Sequence, residues 1–301
     1  MLRTAVLAAL IGFAATANAV NLGSKHALLI DEDSGAVMVE KNATDIVPIA
    51  SLTKLMTAMV VLDAHPDMEQ AVTITDDDVD MLKHSSSRVP VGASFTRATL
   101  LELALMSSDN RAAHALARSY PGGMDAFLVA VRNKAQALGL RRTNIEEPTG
   151  LSPHNTSTAV DLAQMAMAAS RYPEIERITT SSAEMIDVDG EATQYRNTNR
   201  LVGNQGWDIL MSKTGFTREA GRCLIMRVRA AGRHAIMVLL NARETVTRTA
   251  DATNLQHMLT GEPMIAAAVP VRHRKVRVGA AKVTKVAKVA RASRSHARRV
   301  G

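Results

Sequence analysis

The sequence predicts an α+β fold, an antiparallel sheet flanked by helices, and three observations predict it. Short apolar runs separated by turn formers stand at both ends of the 301-residue chain, segments of helical periodicity fill its middle, and no repeat appears in the body. Hydrophobic residues make up 47% of the chain, so at about 25 cal/mol per Å² of buried apolar surface a core of this size forms and disorder throughout is excluded. The single cysteine, Cys223, excludes a disulfide framework and a zinc site of clustered thiolates.

Met1–Ala19 carries Arg3, an apolar run from Ala5 to Ala17 and the small-residue sequence Ala17-Asn18-Ala19, the pattern of a cleaved secretory signal. That run is shorter than the roughly 20 residues of a membrane span. Export to the periplasm or cell-wall space, with no stable transmembrane anchor, is the expectation. His26–Ile30 and Ala36–Glu40 flank the turn formers 31–35 and predict a β-hairpin. Leu52, Leu55, Met56, Met59, Val60 and Leu62 recur at helical spacing behind Pro48, which places Ser51 at a helix N-terminus. Thr99 with Glu102 forms a capping-box pattern ahead of Leu103, Leu105 and Met106, and that helix stops at an interhelical loop, Ser107-Ser108-Asp109-Asn110. Further helices are predicted over Met124–Leu138, closed by Gly139, and over Ala159–Arg171, opened by Thr158 and Asp161. Trp207–Lys213, Arg222–Arg229 and His234–Asn241 predict an antiparallel meander, and a last helix runs from Ala250 to Thr260, ending at Gly261. The first hairpin is expected to join those three strands in one sheet.

The charge is unevenly placed. Of 36 basic residues, eleven lie in Val271–Gly301, which has no acid; setting these and Arg3 aside leaves 24 basic against 29 acidic residues, a body of formal charge −5. The organisation predicted is therefore a signal peptide at 1–19, a catalytic body at 20–262 and a basic, disordered tail at 263–301. In the tail Lys282, Lys285, Lys288, Arg291 and Arg294 recur every three residues, a spacing that aligns on a polyproline II-like chain. Such a tail suits an envelope polyanion such as anionic lipid, lipopolysaccharide or wall polymer. Export removes the usual nucleic-acid partner, and aromatics at 3% leave no stacking platform for single strands.

Three short motifs carry chemistry. Ser51-Leu52-Thr53-Lys54 places a hydroxyl and an amine on one helix face. Such a pair arises by chance roughly once in a chain of this length. A serine hydroxyl needs a base, and a lysine is one only when burial or a nearby cation lowers its pKa; Lys213 is the expected cation. The helix start offers backbone N–H donors to an oxyanion at Ser51. Ser108-Asp109-Asn110 adds a hydroxyl and a carboxamide on a loop, and Lys213-Thr214-Gly215 ends a predicted strand. The three together, in this order, are not a coincidence of composition. Asp109 is assigned no role, and Arg248 reads as an exposed arginine at a helix start, with a carboxylate contact as the alternative. Nine histidines without H-x₃-H or H-E-x-x-H spacing predict no metal site, and no cofactor is implied. His65, His114 and His154 read as surface or structural, the methionines as packing, and Cys223 as buried and inert.

These motifs are the set of the penicillin-recognising serine DD-peptidases, which the chain resembles over roughly residues 24–262. The stretches Pro48–Asp63, Leu105–Gly123, Glu147–Ser152 and Lys213–Leu224 are most similar to the low-molecular-mass D-alanyl-D-alanine endopeptidase branch, the penicillin-binding protein seven type. The resemblance implies a β-lactamase/transpeptidase-like fold with an all-helical lobe, peptidoglycan peptide stems as substrate and β-lactams as covalent inhibitors. By the same resemblance Ser51 is the acyl-forming nucleophile, Lys54 its base, Ser108 the proton shuttle to the leaving amine and Asn110 a guide for the peptide backbone. Lys213 tunes the electrostatics, Thr214 contacts the terminal carboxylate, Gly215 lets substrate approach the strand, and the N–H groups of Ser51 and Phe216 form the oxyanion hole. A β-lactamase is disfavoured, because Glu147-Pro148-Thr149-Gly150-Leu151 has leucine where that chemistry resembles a Glu-Pro-x-x-Asn loop. A D-alanyl-D-alanine carboxypeptidase shares every catalytic residue; about forty residues after the last helix leave no room for the second β-rich domain such enzymes often carry, so cross-link cleavage is preferred. A non-catalytic peptidoglycan-binding protein is the remaining alternative, and the three intact motifs speak against it.

Overall fold

A computed structural model describes residues 21–264. The expected signal peptide at 1–19, and the expected basic tail at 263–301 apart from its first two residues, lie outside the described residues. The expected hairpin is His26–Asp31 (β1) and Val37–Lys41 (β2), and its turn is tied by the Asp31 carboxylate, which accepts the N–H and hydroxyl of Ser34. Val47–Pro48 (β3) leads into a 3₁₀ turn at Ala50–Leu52 and then the helix Thr53–Asp63 (α1). Ala71–Thr73 (β4) pairs with Ser94–Thr96 (β5), and Arg97–Leu105 (α2), Asn110–Arg118 (α3) and Gly123–Ala137 (α4) follow. Thr156–Ser157 (β6) pairs with β3, ahead of Ala159–Ala169 (α5) and Pro173–Thr180 (α6). Ala183–Val188 (β7) and Glu191–Arg196 (β8) form a separate hairpin. Asp208–Thr217 (β9), Gly221–Ala230 (β10), Arg233–Ala242 (β11) and Thr245–Thr260 (α7) complete the described chain.

One antiparallel sheet of order β2-β1-β11-β10-β9 is the frame, so the first hairpin does join the last three strands, through β1 against β11. Strand alternation splits its side chains between two cores. Leu28, Cys223, Ile225, Ile236, Val238 and Leu240 pack with α1 and the helices α2 to α6, while Leu29, Leu224, Met226, Met237 and Leu239 pack with Leu255 and Leu259 of α7. This leaves β9 as an edge strand beside the helical lobe, with one face turned to Ser51 and the other to α7.

Several local readings need correction. The cap of α2 is Thr96, whose side chain accepts the Thr99 N–H; Glu102 instead pairs with Arg177 on α6. Asn110 is the first residue of α3 and not part of a loop, because Asp109 caps that helix by accepting the Ala112 N–H. Lys213-Thr214-Gly215 lies inside β9, which runs on to Thr217. The last helix starts five residues earlier than predicted, where the sequence Thr-Val-Thr-Arg-Thr is rich in β-branched residues and hides the helix from a propensity argument. The β7–β8 hairpin gave no apolar signal, since Ile186 and Tyr195 are its only buried side chains.

Candidate active site

The site begins with the turn that carries Ser51. Ala50 takes a left-handed backbone (φ 49°), a conformation disfavoured for a residue with a Cβ. The turn is held by the Thr53 hydroxyl, which donates to the Ala50 carbonyl at 2.9 Å, and by the Leu52 N–H on the Ile49 carbonyl. Two glycines press on it from either side. A Cβ at Gly150 (φ 87°) would lie 1.9 Å from the Ala50 carbonyl oxygen, and one at Gly215 would lie 3.0 Å from both the Ile49 oxygen and the Ser51 nitrogen. Gly215 is therefore needed first for close approach of β9 to the nucleophile's turn.

Lys54 projects from the first turn of α1 and is 1% exposed. Its Nζ lies 3.1 Å from Ser51 Oγ and donates to Asn110 Oδ1 and to the Thr149 carbonyl, each at 2.7 Å. Burial pushes its ammonium down to about 8, against the upward pull of the Glu147, Asp109 and Asp80 carboxylates. Of the two expected causes, burial is the leading one. Burial first, then the charge of Lys54, then that of Arg248 hold Lys213 well below its ordinary value. A neutral amine has two N–H groups and one lone pair. The two carbonyl-type acceptors around Lys54 match the N–H groups, and the lone pair is left facing Ser51 Oγ.

Ser108 sits between α2 and α3 in a left-handed conformation (φ 61°), and its Oγ accepts from Lys213 Nζ at 2.8 Å. Asn110 turns its oxygen to Lys54 and its amide to Ser85 Oγ at 2.8 Å, so both ends of the carboxamide are fixed. Asp109, given no catalytic role from sequence, points away: it caps α3 and accepts the Ser87 hydroxyl. Ser51, Lys54 and Asn110 are thus joined by hydrogen bonds through Lys54 Nζ, and Ser108 and Lys213 form a second hydrogen-bonded pair. Thr214, Gly215 and Phe216 line the same cleft, a cavity of about 1010 Å³ that also takes in Ser51, Ser108 and Asn110.

Sequence reasoning missed two parts of the site. Arg248 is not an exposed helix-start residue but is 7% exposed on α7, lines the cleft, donates from Nη1 to the Cys223 carbonyl and leaves its Nε without a partner. Its sequence spacing from Ser51 holds no clue to this, because the contact is made through the sheet. The second is the role of the 147–155 loop, whose first part the sequence marked only by resemblance and as an incomplete deacylation loop. Both Glu147 oxygens are occupied, Oε2 by the N–H and hydroxyl of Thr149, and Oε1 by the Gly150 and Ser152 N–H groups and the Asn155 amide. Glu147 is the internal brace of the loop that presents the Thr149 carbonyl to Lys54 and Gly150 to Ala50. Cys223 is buried as expected, and burial pushes its thiol up to about 11.

The fold and this cluster define a serine DD-peptidase, a hydrolase of the class that recognises penicillin. The chain belongs to the peptidase S11 family, described as D-alanyl-D-alanine carboxypeptidase, which matches residues 13–244. It is 43% identical over 244 residues to a D-alanyl-D-alanine endopeptidase of Pseudomonas aeruginosa, covering 80% of this chain and 79% of that one. It is 38% identical over 265 residues to a D-alanyl-D-alanine endopeptidase of Escherichia coli K12, covering 87% and 86%. Penicillin-binding protein D2 of Listeria monocytogenes, solved in an ampicillin-bound form, superposes with a TM-score of 0.68 at 28% identity over 78% of this chain and 96% of that one.

Proposed function

We propose that this protein is an exported serine D-alanyl-D-alanine endopeptidase that cuts peptidoglycan cross-links through an acyl-enzyme on Ser51. The observation that carries the reading is the Lys54 environment, where burial brings the amine down to about 8, within reach of deprotonation, and holds Nζ 3.1 Å from the Ser51 hydroxyl. In this mechanism Lys54 takes the Ser51 proton as Oγ attacks the D-alanyl carbonyl. The Ser51 and Phe216 N–H groups receive the oxyanion. Ser108, hydrogen-bonded to Lys213, passes a proton to the leaving amine, and Asn110 aligns the peptide. Thr214 and the buried Arg248 hold the carboxylate next to the scissile bond. Water then hydrolyses the ester. The endopeptidase names of the relatives support cross-links as the substrate. The engaged oxygens of Glu147 speak against its use as a deacylating base, and so against a β-lactamase. The carboxypeptidase reading uses the same atoms and differs only in the leaving group.

Brief exposure to benzylpenicillin, followed by intact-mass measurement and peptide mapping, is expected to place a stable adduct on the Ser51 peptide. Incubation with cross-linked dimeric muropeptides is expected to yield monomers. Release of free D-alanine with the dimer untouched would replace the endopeptidase by a carboxypeptidase, and no adduct with no drug hydrolysed would remove the serine mechanism.

The same reading includes cleavage of the leader after Ala19 and a periplasmic or wall-space location, supported by the leader's pattern. No helix among the described residues is long and apolar enough to cross a membrane. The tail's eleven basic residues are proposed as a tether to an envelope polyanion, at about 1 kcal/mol per residue near an anionic surface and less in salt. Truncation after residue 270 is expected to abolish low-salt binding to anionic vesicles and leave penicillin acylation unchanged; equal binding by the truncated protein would remove the tether.

A further inference from the structure

The cleft is longer than a D-alanyl-D-alanine terminus needs. Beyond Ser51, Thr214 and Arg248 it continues along a wall formed by Arg200, Asn204, Arg222, Val246, Thr249 and Thr253. At about 1010 Å³ its cavity stands at the upper end of the range that buries drug-sized ligands. Its lining holds three arginines and no carboxylate, in a body whose formal charge is −5. One arginine beside Thr214 is enough for the carboxylate at the scissile bond. Arg200 and Arg222 remain.

Arg222 faces Phe216 across the β9–β10 ladder, so the two side chains share the face of the sheet turned to α7. Its guanidinium lies 4.4 Å from the centre of the Phe216 ring, which is itself 53% exposed at the cleft mouth. Stacking orients the planar fork, and the Arg222 Nε is buried with no hydrogen-bond partner. Among the described residues neither Arg222 nor Arg200 has a carboxylate partner, whereas Arg118, Arg177, Arg227, Arg229 and Arg233 all do. Arg222 is half-buried and Arg200 exposed, so the unmet donor is the buried Arg222 Nε–H; leaving it unpaired is costly, and a bound carboxylate satisfies it together with a terminal N–H of the same fork.

We propose that Arg200 and Arg222 form a leaving-strand subsite that takes a second carboxylate, one carried by the departing stem peptide beyond the carboxylate held at Thr214 and Arg248. This rests on the endopeptidase reading and deepens it. A linear stem ending in D-alanine has a single carboxylate on its leaving residue. A cross-linked stem departs as a whole peptide with further carboxylates, and only that substrate reaches the subsite. The two arginines are thereby specificity determinants for cross-linked over linear substrate.

The test compares the wild type with Arg200→Gln/Arg222→Gln on a cross-linked muropeptide dimer and on a linear peptide ending in D-alanyl-D-alanine. The variant's kcat/KM for the dimer is expected to fall tenfold or more relative to its value for the linear peptide, as befits loss of charge-assisted hydrogen bonds. A dimer with amidated carboxylates on the leaving strand is expected to be cleaved alike by both proteins. An unchanged dimer-to-linear ratio would overturn the subsite, and so would a loss that persists with the amidated dimer. A wild type that releases D-alanine but leaves the dimer intact would instead overturn the endopeptidase reading on which the subsite rests. Penicillin acylation of the double variant shows that the protein is folded.

Discussion

Replacing Lys54 by methionine is expected to slow acylation by benzylpenicillin about 10²–10⁴-fold, the usual contribution of a positioned general base. The methylene stem is kept, so packing against the buried face of α1 changes little, and the loss is read as chemistry. The wild-type rate is expected to rise with pH and level off above about 8, because the amine acts only after losing its proton and burial holds its pKa near that value. In the variant that rise should vanish. Stopped-flow or timed intact-mass measurement of acylation between pH 6 and 10 checks both statements; a variant that keeps the same pH limb would show that another group is the base.

The same burial has a stability consequence of definite sign. Lys54 titrates near 8 in the folded protein and near 10.5 in an unfolded chain. Between those values the unfolded chain holds a proton that the folded one has released, so stability rises with pH across this window. Below about pH 8 the folded protein carries the full cost of a buried ammonium, and Lys213, held low by burial, Lys54 and Arg248, adds to it. The Lys54→Met variant should therefore show a shallower rise of melting temperature between pH 8 and 10, keeping only the share that the buried Lys213 contributes. A site that works against folding in this way is expected where strained or desolvated groups serve chemistry.

Much of this was legible in the sequence because the signals were local. Alternating apolar runs and turn formers marked β1, β2 and β9 to β11, and the Thr158/Asp161 pair marked the start of α5, where the Thr158 side chain does accept the Asp161 N–H. The three motifs were legible because they are contiguous. What stayed hidden depends on contacts between segments far apart in the chain. Arg248 is 197 residues from Ser51 and enters the cleft only because α7 packs on the opposite face of the sheet from α1. Thr149 supplies a backbone carbonyl, a group every residue has, so no side-chain pattern distinguishes it. Gly150 sits in a loop whose glycine reads as turn chemistry alone, and its closeness to Ala50 appears only in three dimensions.

That closeness makes Gly150→Ala the most disruptive single-methyl change to expect in this protein. Gly190, in the turn between β7 and β8, has nearly the same backbone angle, φ 86° against 87°, but a Cβ there meets nothing within 4 Å. The two substitutions share the penalty of an L-residue in the left-handed region, about 1–3 kcal/mol. They differ in space. At Gly150 the added carbon would lie 1.9 Å from the Ala50 oxygen, 2.2 Å from its carbonyl carbon and 2.8 Å from the Ser51 nitrogen, all backbone atoms that no rotamer change can move aside. Overpacking of this kind adds about 1–3 kcal/mol or more, so Gly150→Ala is expected to lower the melting temperature by roughly 10 °C in a domain of this size, against a few degrees for Gly190→Ala. The direction of the forced shift decides the functional outcome. It pushes the peptide that bears the Ser51 N–H, and with it Ser51 Oγ, away from the loop that presents the Thr149 carbonyl to Lys54. Displacements of about 1 Å at a reacting centre cost on the order of 10²-fold. Penicillin acylation should accordingly fall about 100-fold or more in Gly150→Ala, measured well below its melting temperature, and stay at the wild-type rate in Gly190→Ala. Equal acylation by the two variants would mean that the nucleophile's turn does not depend on this glycine.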